Sequence, residues 1–79
     1  MKARVFVTLK AGVLDPQGEA IRHSLGTLGF SGITGVRQGK VIELILNESN
    51  RTEAEKVVKA MCDKLLANVV IENYTVEIA

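Results

Sequence analysis

The sequence is poor in the residues from which small functional sites are usually built. Its single cysteine, Cys62, excludes an internal disulfide and leaves no CxxC pair for a metal or redox couple. Its single histidine, His23, excludes a histidine-based metal cluster. Aromatics are limited to Phe6, Phe30 and Tyr74, too few and too scattered for a base-stacking platform. Neither sign of charge dominates. Ten basic and nine acidic residues leave a net charge of +1, which gives no electrostatic footprint for nucleic acid or an anionic membrane. No apolar run reaches the length of a membrane span, and none follows the basic start Met1-Lys2-Ala3-Arg4. The expectation is a cytoplasmic protein with no nucleic acid and no membrane among its partners.

What is present suits one small folded domain over residues 1–79. The chain is 47% hydrophobic and carries seven glycines against one proline. A domain of this size hides only about 60% of its unfolded surface, so a lone core is marginal. No linker, low-complexity tract or short-period repeat interrupts it.

One pattern occurs twice along the chain: strand, helix, strand. Residues Arg4 to Lys10 alternate Val5, Val7 and Leu9 against Arg4, Thr8 and Lys10, which predicts a half-buried strand. Asp15-Pro16 reads as a helix start, with a capping carboxylate and a proline where the N–H has no partner. Ala20, Ile21, Leu25 and Leu28 follow at helical spacing, and Gly29 is placed to end the helix. A short strand is expected near Ile33 to Arg37, a tight turn at Gln38-Gly39, and a further strand from Lys40 to Leu46. Thr52-Glu53-Ala54-Glu55 matches a capping box, with Asn50 a rival cap. Ala54, Val57, Val58, Met61, Cys62, Leu65 and Leu66 then form an apolar stripe ending near Asn68. A last strand runs from Ile71 to Ile78.

The order βαββαβ predicts an α+β, ferredoxin-like fold. Right-handed crossovers would place both helices on one face of a four-stranded antiparallel sheet. The helix-facing side would take Val5, Val7, Leu9, Ile42, Leu44, Val76 and Ile78. The other side would carry Phe6, Thr8, Val41, Glu43, Ile45 and Thr75, which is too apolar for a comfortable solvent face. Together with an uncovered sheet edge, this predicts self-association, with Phe6, Thr8, Val41, Glu43 and Ile45 as candidates for the dimer face.

The search for chemistry yields no catalytic, cofactor-binding or metal-binding residue. Cys62 lies on the apolar stripe beside Met61 and Leu65, where a thiol behaves as a small inert hydrophobe. His23 falls on the polar side of its helix. Glu53 and Glu55 complement a helix N-terminus. Glu43 and Glu77 could be neighbours on the outer sheet face, but an acid–base pair needs a pocket and none is implied. Arg37 and Lys40 flank Gly39 at the predicted turn and could hold an anion with the turn N–H groups, although solvated side chains on an ordinary hairpin are the favoured explanation. Gly18 is the anomaly. Glycine in the first turn of a helix costs about 1 kcal/mol against alanine, and either close approach of a partner backbone or close packing against the sheet would explain it.

Four separated stretches carry a resemblance. Val13-Leu14-Asp15-Pro16-Gln17-Gly18, Leu28-Gly29-Phe30, Val36-Arg37-Gln38-Gly39-Lys40 and Leu65-Leu66-Ala67-Asn68 leading to Val70-Ile71-Glu72 closely resemble the PurS family. This is the small subunit of bacterial phosphoribosylformylglycinamidine synthase, and the likeness spans essentially the whole chain. It implies a ferredoxin-like fold and a non-catalytic role. It implies a homodimer or dimer of dimers that joins a large synthetase subunit, PurL, and a glutamine amidotransferase subunit, PurQ. That complex makes formylglycinamidine ribonucleotide from formylglycinamide ribonucleotide, ATP and glutamine, with ATP and magnesium held by the large subunit and no cofactor in this chain. Asp15, Pro16, Gln17, Gly18, Arg37, Gly39 and Lys40 match the family pattern and are the candidates for partner contact. Val69 stands where relatives usually carry proline, and Ala11 where they often carry proline or a charge.

The main alternative is a small-molecule-sensing, ferredoxin-like dimeric regulatory domain, because fold alone does not settle function. An acylphosphatase would need an arginine in the loop after the first strand, and Ala11-Gly12 offers none. An RNA-binding domain of the same strand order would need stacking aromatics on its central strands.

Overall fold

In the computed structural model, which describes residues 1–79, the elements are β1 (Lys2–Leu9), α1 (Pro16–Thr27), β2 (Gly39–Ile45), α2 (Arg51–Met61), a π-helical turn (Cys62–Leu66) and β3 (Glu72–Ile78). The sheet has three strands in the order β2-β1-β3, and both pairings are antiparallel. This corrects the four-stranded expectation. Residues near Ile33 to Arg37 have the composition of a strand but pair with no strand. The chain is α+β, with two helices and a three-stranded sheet.

The expected faces are kept, and the pairing sets the neighbours across them. Val5 faces Ile42 on one side and Val76 on the other, while Phe6 faces Val41 and Thr75. Ala3, Val5 and Val7 therefore share one face, where they are buried together with Val58, Cys62 and Ala67. Ile42, Leu44, Tyr74, Val76 and Ile78 flank this core half-buried. The opposite face exposes Phe6, Thr8, Val41, Glu43, Ile45 and Thr75.

Only α2 packs across the sheet. Asn50 caps it, its side-chain oxygen accepting the Glu53 N–H at 3.1 Å, so the rival to the Thr52 capping box is the cap used. The helix then widens. Ala67 N–H donates to the Cys62 carbonyl, the i to i+5 bond of a π turn, which rotates the end of the expected stripe. Leu65 consequently points outward, 83% exposed, and Val57 is also exposed. The Tyr74 hydroxyl donates to the Asp63 carboxylate at 2.9 Å and ties this turn to β3.

The first helix departs from expectation more sharply. Asp15 caps it, Pro16 opens it and Gly29 ends it with φ +97°, as the sequence predicts. Yet α1 does not pack across the sheet, and both helices on one face is an expectation the structure corrects. Ile21 and Leu28 on its apolar side stay exposed, and Gly18 is its only buried residue. The molecule is accordingly elongated, 48 × 24 × 15 Å, with a radius of gyration of 15.9 Å. A compact domain of this length has a radius near 12 Å. It exposes 5638 Å², against roughly 4,700 Å² for a compact monomer of its mass.

Burial in an apolar setting pushes the Cys62 thiol up from its ordinary value, and the neighbouring Asp63 charge adds to this. The thiol is fully buried. Cys62→Ala is expected to cost about 1 kcal/mol in denaturant unfolding and to leave assembly intact. The native wild-type thiol should resist a thiol-specific reagent that labels it promptly once unfolded. Prompt labelling of the folded chain would contradict its burial.

Candidate partner-binding site

The Asp15-to-Gly18 and Val36-to-Lys40 motifs, separated by the whole of α1, come together at one end of the sheet. Asp15 is the link. Its Oδ1 accepts the Gly18 N–H at 2.9 Å, which is the helix cap, and its Oδ2 accepts the Gln38 N–H at 2.8 Å. These two backbone donors, Gln38 first and Gly18 second, hold the Asp15 carboxyl below its ordinary value of 3.8, and the Arg37 charge assists.

The Gly18 anomaly is resolved here. A Cβ at this position would lie 2.5 Å from the Val36 carbonyl oxygen and 2.7 Å from Asp15 Oδ2. The close approach that glycine permits is made by the chain's own returning backbone at Val36, not by a partner or by the sheet as expected. Gly39 is constrained in the same way, since a Cβ there would lie 2.5 Å from the Val7 carbonyl oxygen. It faces Thr8 in the β1–β2 pairing.

Arg37 has a different task from the anion binding considered from sequence. Its guanidinium donates to the Leu9 carbonyl and to the Lys10 carbonyl, the latter at 3.1 Å. It thereby closes the end of β1 with backbone acceptors. Lys40 is exposed and takes part in no ion pair. An open cleft of about 230 Å³ lies at this end, with Asp15, Gln17, Gly39 and Lys40 in its lining. Pro16, Gly18 and Arg37 do not line it. Both Asp15 oxygens are engaged, so Lys40 and the Gln17 side chain are the candidate groups left to meet a partner.

The dimer-face candidates lie together on the open face of the sheet. Phe6 is 38% exposed, Val41 56% and Ile45 79%. Glu43 and Glu77 are not neighbours, because β1 runs between their strands. Arg4 stands between them, 3.6 Å from Glu43 and 3.8 Å from Glu77, and Lys2 also approaches Glu43 at 3.6 Å. The sequence reading missed Gln38 as the second donor to Asp15 and the carbonyls of Val36, Leu9 and Lys10 as what the glycine and arginine serve. All of these are backbone groups, which side-chain identity does not reveal. The one available signal was the unexplained glycine in the first turn of α1.

Two outcomes are expected from this geometry. Gly18→Ala should destabilise the fold by about 1–3 kcal/mol, because the new methyl forces Val36 and Asp15 apart, and denaturant unfolding reads this directly. Asp15 has a depressed pKa in the folded state, so its contribution is present above the unfolded value near 3.8 and fades as pH falls through the lower folded value. The stability gap between wild type and Asp15→Asn should therefore be constant near neutrality and close in acid below that value. A gap independent of pH down to full acid unfolding would remove the ionic role of Asp15.

Comparison with known proteins identifies the family. A family model described as PurS: Phosphoribosylformylglycinamidine (FGAM) synthase matches residues 2–79. The chain is 47% identical over 77 residues to the phosphoribosylformylglycinamidine synthase subunit PurS of Bacillus subtilis, covering 98% of this chain and 90% of that protein. It superposes on the crystal structure of Methanocaldococcus jannaschii PurS with a TM-score of 0.87 at 42% identity, over 96% of this chain and 92% of that one. A chain in the structure of PurLQS from Thermotoga maritima gives a TM-score of 0.87 at 34% identity, over 96% of this chain and 93% of that one. The match runs over nearly the whole sequence and the fold superposes, and the chain belongs to the PurS family.

Proposed function

We infer that this chain is the small, non-catalytic subunit of phosphoribosylformylglycinamidine synthase, acting in purine biosynthesis beside PurL and PurQ. The observation that carries the reading is the match, over almost its full length, to a chain of the Thermotoga maritima PurLQS structure. In this reading the chain braces the synthetase against the glutamine amidotransferase. Ammonia released from glutamine must reach the synthetase without escaping, so the relative placement of those two subunits has to be fixed. ATP and magnesium belong to the large subunit.

The chain acts as a homodimer in the cytoplasm. Support for the dimer comes from the apolar open face of the sheet and from the excess of exposed surface over a compact monomer. A twofold dimer offers two equivalent copies of the Lys40 end of the sheet, suited to bracing larger partners. Charge at the rim of such a contact sets approach and register more than affinity.

Lys40 is the clean probe because it supports nothing inside the chain. Lys40→Glu should leave the circular dichroism spectrum and the oligomeric state unchanged. It should weaken association with the large subunits by roughly tenfold, with a matching loss of glutamine-dependent turnover at limiting subunit concentration. Arg37→Glu is the poorer probe, since Arg37 also closes the end of β1. Unchanged assembly and turnover with Lys40→Glu would move the partner contact away from this end of the sheet.

A further inference from the structure

The fourth sequence motif, Asn68 to Glu72, has no part in the core and forms a closely tied turn ahead of β3. Asn68 organises it. Its N–H donates to Glu72 Oε1 at 2.6 Å, and its side-chain oxygen accepts the Val70 N–H at 3.2 Å. Its carbonyl accepts the N–H groups of Ile71 at 3.0 Å and Glu72 at 2.7 Å. The Ile71 carbonyl in turn accepts the Lys10 N–H at 2.8 Å, which fastens the turn to the end of β1. So much bonding holds an apolar tip out to solvent. Val69, Val70 and Ile71 are all exposed, Val70 at 79%. Leu14, also exposed, lies at the same end of the sheet, in the loop that Val13 N–H ties to the Lys10 carbonyl. Single exposed apolar side chains are ordinary, but several on a tied turn form a contact surface.

This turn is continuous with the cleft at Lys40. Lys40 faces Val7 and Glu72 faces Leu9, so all four share the helix side of the sheet. The cleft runs across them, from Lys40 over Val7 and Leu9 to Glu72, the last residue of the turn. Both carboxylates in its lining already accept backbone N–H groups, Asp15 from Gly18 and Gln38 and Glu72 from Asn68. Neither forms an ion pair with Lys40. The ammonium group is therefore the one charge in the cleft without an answer.

We propose that the Val69-to-Ile71 turn and the Lys40 cleft form one docking surface for an extended segment of a larger partner subunit, with an apolar side chain on Val70 and a carboxylate on Lys40. This rests on the reading that partners meet the Lys40 end of the sheet, and it says what chemistry they bring there. The two anchor points lie about 15 Å apart, two strand spacings across the sheet and a few residues along it. An extended stretch of about five residues spans that distance. The hydrogen bonds around Asn68 fix the turn before any partner arrives, so little ordering cost is left for association. An apolar anchor beside a charged rim is also the usual division of labour in a protein interface.

The test compares Val70→Ser and Lys40→Met in the full chain, reading association with the large subunits at low and high salt. Val70→Ser should weaken association by roughly tenfold at both salt concentrations, because an apolar contact is not screened. Lys40→Met should weaken it at low salt, with a deficit that shrinks at high salt. Circular dichroism and the mass of the free protein by light scattering should not change in either variant. Asn68→Ala should weaken association several-fold in the native background and add nothing to Val70→Ser, as expected of a residue that only positions Val70. Full association of Val70→Ser beside a weakened Lys40→Met overturns the shared surface and leaves the Lys40 contact standing. A Lys40→Met deficit indifferent to salt overturns the carboxylate. A change of mass in Val70→Ser assigns the turn to contact between copies and overturns the proposal, and full association of both variants overturns it together with the Lys40 contact.

Discussion

A single carboxylate decides the shape of this molecule. Asp15 has two oxygens, and each takes one backbone N–H: Gly18 inside α1, and Gln38 just ahead of β2. The first bond starts the helix. The second pins the returning chain to the start of that helix, so the tight turn at Gln38-Gly39 never closes into a hairpin. Everything distinctive stems from the second bond, including the three-stranded sheet, the helix standing off it and the unpaired residues near Ile33 to Arg37. Arg37 reinforces the same outcome from the opposite side by taking the carbonyls at the end of β1.

The cost of this arrangement is visible in the core. Fully buried apolar side chains are few and small, led by Val5, Val7, Val58 and Cys62. A chain of this length is already near the lower limit for a self-sufficient core, and here α1 contributes almost nothing to it. The large apolar residues that ought to complete it, Ile21, Leu28 and Phe30, face solvent. Contiguous exposed apolar surface of this kind marks a face suited to contact with another chain.

Much of this was legible in the residues. The alternation in Val5-Phe6-Val7 and in Val41 to Ile45 fixed which side chains share a face, since a one-residue slip would turn every apolar side chain outward. Asp15-Pro16 and Gly29 marked both ends of α1. What could not be read was where α1 goes, because amphipathic spacing states that a face wants burial without saying which chain buries it. The four-stranded expectation failed for that reason. Residues 33–37 do have strand character, but the bonds that divert them are made to backbone groups at Leu9, Lys10 and Gln38. The end of α2 failed differently. A single π turn at Cys62 rotates Leu65 away from the stripe while Leu66 stays against the core, and no side-chain pattern announced it. The candidate site was legible as a set of residues but not as a division of labour, in which Gly18 and Arg37 shape the chain and Lys40 remains free.

The ladder of charge on the open face has a consequence of its own. Lys2 and Arg4 sit on the central strand, with Glu43 and Glu77 on either flank. Exposed pairs at these distances add little to stability. Their value is informational. Sliding β2 or β3 by two residues would preserve every inward-facing side chain while parting each glutamate from Arg4. The apolar alternation alone cannot tell those slipped sheets from the true one. The charges can, and they act as a vernier that selects one alignment among several equally greasy ones.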